Sequence, residues 1–242
     1  MNNLISSIGN KINSDATDDC STDLLPDAIL KLCRVNAYYG KYQALFDLSL
    51  SVESGEVLAV TGLNGAGKTT LTRVISGLIH PSSGCIFFKG INISGLRIEK
   101  IQAMGLELIP DRTAVFNSIS VVENLKIFFR NVPKSESISE LIEKSFEMFP
   151  RLKLRAENLA GQLSGGEQRM LSLAKPLIFP PEFLIVDEIS LGLAPKILAE
   201  IWEKIDEIKK RGTTMLIVEQ YIKDVKHLTT NILKLENGKL VA

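Results

Sequence analysis

Neither sign of charge is in excess in this chain. Lys and Arg number 28, Asp and Glu number 28, and the formal net charge is zero. With no global field to attract nucleic acid or anionic lipid, any anion binding must be local. Long apolar runs are missing too. The best candidate, residues 177–186, is broken by Pro180, Pro181 and Glu182, far short of the ~20 apolar residues of a membrane span. Cysteine is scarce, and Cys20, Cys33 and Cys85 follow neither a metal-ligand nor a redox spacing. They read as ordinary thiols of a reducing compartment. Residues 1–28 lack the cationic start and apolar run of a secretory signal, and they are too acidic for a transit peptide. Rich in Ser, Asn and Asp, with Asp15, Asp18, Asp19, Asp23 and Asp27, they read as a disordered leader. No internal repeat is evident.

The remainder suits one large domain, or a core with a subdomain: 242 residues, 45% hydrophobic and 23% charged. Residues 28–60 alternate in strand fashion and end in Val57-Leu58-Ala59-Val60, apolar throughout as in a strand covered on both faces. A helix is expected over 68–76, stopped by Gly77, and a strand over 85–88. Residues 121–129, 135–149 and 165–178 read as helices, and 183–186 as a buried strand. A helix over 195–210, a strand over 215–218, a short helix and a strand over 232–235 complete the pattern. Strands alternating with helices imply an α/β fold with a mostly parallel sheet. An antiparallel β portion precedes it, and residues 117–178 form an inserted helical subdomain.

Gly62-Leu63-Asn64-Gly65-Ala66-Gly67-Lys68-Thr69, followed by Thr70, has phosphate-loop spacing between an expected strand and an expected helix. The glycines let backbone N–H groups turn inward around phosphates, and the helix N-terminus adds positive potential. Lys68 would neutralise the β- and γ-phosphates, and the Thr69 hydroxyl would ligate magnesium. The strand at 183–186 runs into Asp187 and Glu188. Asp187 can hold the metal and its hydration shell, and Glu188 can orient and deprotonate an attacking water. Adjacent strand residues point to opposite faces, so the two acids share a site only if the chain leaves the pleat there. Leu163-Ser164-Gly165-Gly166-Glu167-Gln168 opens another expected helix and offers a second anion cradle. One nucleotide has little use for two cradles in one subunit, whereas a head-to-tail dimer uses both.

With these motifs in this order, residues 29–241 resemble the ATP-binding subunits of ABC transporters, and most of all the ATPase of the branched-chain amino-acid uptake system. The segments 39–45 (YGKYQAL), 149–152 (FPRL), 190–195 (SLGLAP) and 217–220 (IVEQ) carry the second, narrower likeness. The resemblance implies a P-loop NTPase core using ATP and Mg²⁺, with Tyr39 stacked on adenine. Asp111 falls where the family usually has a metal-sensing glutamine, and Gln220 where many members have a histidine near the γ-phosphate. Ser164 to Glu167 would grip the nucleotide held by a second ATPase subunit. The implied partners are membrane permease subunits and, indirectly, a solute-binding protein, with no nucleic acid. The implied location is the cytoplasmic face of the membrane, as a peripheral protein.

Four positions depart from the common pattern. Asp111 loses the amide's donor, and Gln220 cannot carry positive charge. Ile189 stands where a proline usually follows the acidic pair, so the turn loses a fixed φ. Pro176 lies within the helix opened by Ser164 and should kink it at a cost of about 3 kcal/mol, or end it near Lys175. The sequence stops soon after a hairpin signal at 236–239, where the resemblance leads one to expect a further helical segment. The leading expectation is an ATPase, slow or dependent on partners. The alternatives are a regulatory module that dimerises on ATP with little hydrolysis, and a soluble ATPase acting on nucleic acid or ribosomes, which zero net charge disfavours.

Overall fold

The structure, a computed structural model, describes residues 28–111, 114–132, 135–229 and 231–241. Of the expected leader, residues 1–27 lie outside the described residues. Ala28 opens the first strand, β1 (Ala28–Tyr39), which pairs antiparallel with β2 (Tyr42–Glu53). After β3 (Val57–Thr61) and helix α1 (Lys68–Ile75) come β4 (Ser83–Phe88) and β5 (Ile91–Asn92). β1, β2, β4 and β5 form a four-stranded sheet in the order β2-β1-β4-β5.

The second sheet collects β3 with β6 (Leu106–Ile109), β7 (Phe183–Asp187), β8 (Thr214–Glu219), β9 (Ile232–Glu236) and β10 (Lys239–Val241). Its order is β10-β9-β3-β8-β7-β6, parallel except for β10. The β9–β10 hairpin turns at Asn237 and Gly238, with φ of 48° and 76°, as a two-residue type I′ turn requires. Every residue of β3, β7 and β8 is buried, which explains their continuous apolar runs.

The two faces of this sheet bury two separate cores, divided by the two-residue period of each strand. Leu58, Val60, Phe183, Ile185, Leu216 and Val218 pack against α1 and the antiparallel sheet. Ala59, Leu184, Val186, Met215 and Ile217 pack against helices that lie mostly between β6 and β7. Those helices are α3 (Val121–Phe129), α4 (Ile138–Met148), α5 (Pro150–Lys153) and α6 (Gly165–Ile178), joined on the same side by α7 (Pro195–Lys210) after β7. The short α2 (Ile98–Ala103) precedes β6.

Among the elements that the sequence pattern did not mark are β5, α2, β6 and α5. All are short, two to six residues long, and β6 carries Glu107 in a short apolar run, paired here to Lys175 at 2.7 Å. The helix expected over 135–149 is α4, Ile138–Met148, and it ends there because Phe149 leaves helical geometry (φ −130°, ψ 76°) before Pro150 opens α5. Pro176 does not end α6 near Lys175. The helix continues to Ile178 with Pro176 buried inside its last turns, and the Phe179 N–H bonds the Lys175 carbonyl at 2.8 Å. Being close to the C-terminus, the proline removes one donor, the one that would have met the Ser172 carbonyl.

Candidate active site

The C-terminal ends of β3, β7 and β8 converge on the start of α1. β3 ends at Thr61, and the chain then passes through Gly62 to Gly67 before Lys68 opens the helix. At Gly62 and Gly67 this path leaves no room for a side chain. A Cβ at Gly62 would lie 2.3 Å from the Leu235 carbonyl oxygen, and one at Gly67 (φ 104°) 2.8 Å from that of Ala44. Gly65 also has positive φ, 82°. Gly67 is the N-cap, and no side chain caps the helix. The N–H groups of its first turn therefore face the loop without a helical acceptor, available to an anion.

Lys68 is 3% exposed. Its ammonium donates to the carbonyls of Gly62 at 2.7 Å and Leu63 at 3.0 Å, and pairs with the Glu188 carboxylate at 2.8 Å. All three of its protons are thereby engaged. One turn on, the Thr72 hydroxyl donates to Asp187 Oδ2 at 2.7 Å. Lys68 and Thr72 stand at i and i+4 on one face of α1, and they meet two consecutive residues at the end of β7. This is possible because Glu188 adopts φ 43°, a left-handed conformation uncommon for a residue with a side chain. The chain leaves the pleat there, so both acids turn toward α1.

Asp187 is 1% exposed, and its Oδ1 has no hydrogen-bond partner among the described residues. Burial pushes its carboxyl up to about 6, against the Thr72 hydrogen bond, with further upward pressure from Asp111 and Glu188. A buried carboxylate with one empty oxygen in an oxygen-only donor set suits a hard divalent cation. Thr69, half-buried at the second position of α1, adds a hydroxyl to the same end of the helix, so the residues present fit Mg²⁺.

The turn after Glu188 does not need a proline. The Glu188 N–H donates to the Val218 carbonyl at 2.8 Å, and Ile189 is wholly buried. Glu219, at the end of β8 and 1% exposed, accepts from the Ser190 N–H at 3.0 Å and the Ser190 hydroxyl at 2.6 Å. Burial raises the Glu219 carboxyl, opposed by these bonds. Gln220 follows, half-buried, in a recess of about 230 Å³ that it shares with Glu188, Ser190, Leu191 and Glu219.

Arg169 of α6 ties the second glycine segment to this end of the sheet. It is 5% exposed and its guanidinium donates to the carbonyls of Pro110 and Asp111 beyond β6. Burial lowers its pKa, while the nearby Asp111, Glu219 and Asp187 hold the charge in place. Asp111 is thus fixed through its backbone, with its side chain half-buried. Sequence reading passed over Thr72, Arg169 and Glu219. Only Thr72 carries a signal, its i+4 spacing from Lys68.

Ser164 caps α6: its hydroxyl accepts from the Glu167 N–H at 3.3 Å, while the Glu167 carboxylate accepts from the Ser164 N–H and hydroxyl, both at 2.8 Å. This capping box occupies Glu167 and leaves the N–H groups of Gly165 and Gly166 open. Gly166 packs so closely on Ile197 of α7 that a Cβ would lie 2.6 Å from its Cγ2. Tyr39 stands apart, 44% exposed at the end of β1, opposite Tyr42.

Comparison with known proteins gives this arrangement a family. The ABC transporter profile matches residues 45–190, from β2 through the acidic turn. The chain belongs to the ABC transporter family. It is 39% identical over 215 residues to the high-affinity branched-chain amino acid transport ATP-binding protein BraG of Pseudomonas aeruginosa, covering 88% of this chain and 91% of that one. It is 32% identical over 218 residues to the Nod factor export ATP-binding protein I of Rhizobium meliloti, covering 90% of this chain and 64% of that one. The fold matches the ADP conformation of an ATP-binding cassette of an ABC transporter with a TM-score of 0.73 and 27% identity, over 89% and 90% of the two chains. As an ABC ATPase domain, the chain binds ATP. None of its described helices is long and apolar enough to cross a membrane.

Proposed function

We propose that this cassette hydrolyses ATP to drive import of a small solute, with branched-chain or other hydrophobic amino acids as the substrate class. The amino-acid reading rests on the 39% identity to BraG; identity to the Nod factor export protein is lower, at 32%. The observation that carries the hydrolytic reading is the Lys68–Glu188 contact at 2.8 Å. It joins the phosphate-binding cation to the intended base.

Entry of a triphosphate into the loop gives the Lys68 ammonium a stronger partner than Glu188. Glu188 is then released to accept a proton from water, and Gln220 donates a hydrogen bond on the γ-phosphate side. Mg²⁺, held by Thr69, Asp187 and Asp111, would supply charge neutralisation across the β- and γ-phosphates. Asn64, Gly65, Ala66, Gly67 and Thr70 line the phosphates, and Tyr39 stacks on the adenine.

Ser164, Gly165 and Gly166 act on the nucleotide of a second ABC ATPase subunit, with Glu167 supporting them as a cap. The helices over residues 117–178 pass closure of that dimer to membrane permeases at the cytoplasmic face, and a solute-binding protein takes part through the permeases. Steady-state turnover of the chain assembled with its partners tests this proposal. Activity well above that of a Lys68→Ala chain is expected, and activity no higher than it refutes hydrolysis. A second reading, ATP-driven dimerisation with little hydrolysis, draws on the same ion pair, since Lys68 sequesters the base. Tight ATP binding without turnover would favour it.

A further inference from the structure

Cys33 and Cys85 lie 52 residues apart in the sequence, yet they are direct partners across β1 and β4. The ladder fixes their geometry. The Lys89 N–H bonds the Ile29 carbonyl at 2.7 Å, and the pairing steps back through Leu30↔Phe88, Lys31↔Phe87 and Leu32↔Ile86 to Cys33↔Cys85. Hydrogen-bonded and non-hydrogen-bonded pairs alternate, so the cysteines fall on a hydrogen-bonded pair. In such a pair the Cα atoms lie ~5.5 Å apart, within the ~4.4–6.8 Å that a disulfide spans. Both side chains share the face opposite Leu32 and Ile86, which point into the core. Neither is in a disulfide; Cys33 is half-buried and Cys85 is 5% exposed.

A bulge beside the pair brings the backbones of β1 and β4 close together. β1 has two residues, Arg34 (φ 46°) and Val35, where β4 has only Gly84 (φ 84°), the count of a β-bulge. A Cβ at Gly84 would lie 2.5 Å from the Cys33 carbonyl oxygen. The Arg34 N–H is held by the Ser49 hydroxyl at 2.9 Å and its carbonyl by Asn36 at 3.2 Å.

We propose that Cys33 and Cys85 form a redox-active dithiol that closes to an intramolecular disulfide by exchange with a small-molecule disulfide. Cys33, the more accessible thiol, attacks first as the thiolate. It forms a mixed disulfide and expels one small thiolate, which takes up a proton. Cys85, deprotonated in turn, attacks the Cys33 sulfur and expels the second small thiol. The protein loses two electrons and two protons, and the small disulfide becomes two thiols. The Cβ separation of a cross-strand pair, ~4.5–5.5 Å, exceeds the ~3.5–4.5 Å of a relaxed disulfide. The bond is therefore easily reduced again, and the pair responds to oxidation without being locked by it. Residues 34–84 lie within the closed loop, and they include the whole phosphate loop and α1.

The test uses the full chain carrying Cys20→Ser, incubated with glutathione disulfide, quenched in acid, alkylated and mapped by mass spectrometry. The expected product is a Cys33–Cys85 linked peptide that excess reduced glutathione reopens. Cys85→Ser, in the same background, should instead accumulate glutathione on Cys33. Two unmodified thiols, or stable glutathione adducts on the Cys20→Ser chain without an internal link, would overturn the proposal. The same holds if the link forms only after the chain is unfolded in urea.

Discussion

The two glycine-rich cradles use the same backbone chemistry and differ in everything around it. At the phosphate loop the helix has no side-chain cap, and a buried lysine is held by two carbonyls and by Glu188. At the second cradle the helix is capped by its own Ser164 and Glu167, without a buried cation in the box. The first is assembled within one chain, with Lys68, Glu188 and Asp187 brought together by one turn of α1. The second offers two open N–H groups, and its Ser164 hydroxyl and Glu167 carboxylate are engaged with each other in the cap. On the proposed function, this second cradle is finished by the nucleotide of another subunit.

That contrast gives the variants an order. Lys68→Ala should abolish the first cradle, lowering ATP affinity and turnover by at least ~10²-fold, since it removes a preorganised charge at the phosphates. Nucleotide titration and phosphate release measure the two. Glu188→Gln should separate them: affinity stays near that of the parent while turnover falls by ~10²–10⁴-fold, the range of general-base catalysis. If both variants lose affinity equally, Glu188 serves binding and not proton transfer.

A smaller effect concerns the buried Asp187. Burial raises its folded-state pKa to about 6, above the ordinary 3.8 of an exposed aspartate. A raised carboxyl contributes stability that is fully present below about pH 4 and is lost as pH rises through about 6. Glu219, raised by burial as well, adds to the same slope. The difference between 3.8 and about 6 corresponds to about 3 kcal/mol. Asp187→Asn should therefore stabilise the nucleotide-free chain at pH 7 by up to about 3 kcal/mol, flatten its urea midpoint between pH 4 and 6, and remove any gain from added Mg²⁺. An unchanged pH profile would mean that Asp187 is already compensated. Smallest of all, Ser164→Ala removes the cap of α6 and should cost about 1 kcal/mol in urea unfolding, with ATP affinity of the isolated chain unaltered.

The parts of this site that sequence made legible are those built from neighbours along the chain. Gly62 to Thr69 declares its turn through glycine spacing, and Asp187-Glu188 declares its exit from the sheet through four buried apolar residues. The fold class followed from the same local periods. What stayed hidden depends on register and on contacts between distant segments. Thr72 reaches Asp187 across 115 positions, Glu219 reaches Ser190 across 29, and Arg169 reaches Asp111 across 58. Apart from the i+4 spacing of Thr72 from Lys68, no local pattern encodes such pairings, because each polar partner alone resembles a surface residue. The cysteines illustrate it best: scattered in sequence, they become opposed only when β1 and β4 pair. Pro176 and Ile189 show the converse, local warnings that packing overrode, one by burial near a helix end and one by burial in the core.

Gly165→Asp gives the most direct measurement on the second cradle. A Cβ there meets only Leu193 Cδ2, at 3.9 Å, and an acid at the first turn favours the helix, so the variant should fold while repelling phosphate. ATP affinity of the isolated chain and turnover of the assembled complex are then compared with the parent. If the cradle acts on another subunit's nucleotide, affinity is unchanged and turnover falls by at least ~10²-fold. An affinity loss in the isolated chain matching that of Lys68→Ala would show instead that both cradles serve one nucleotide within one chain.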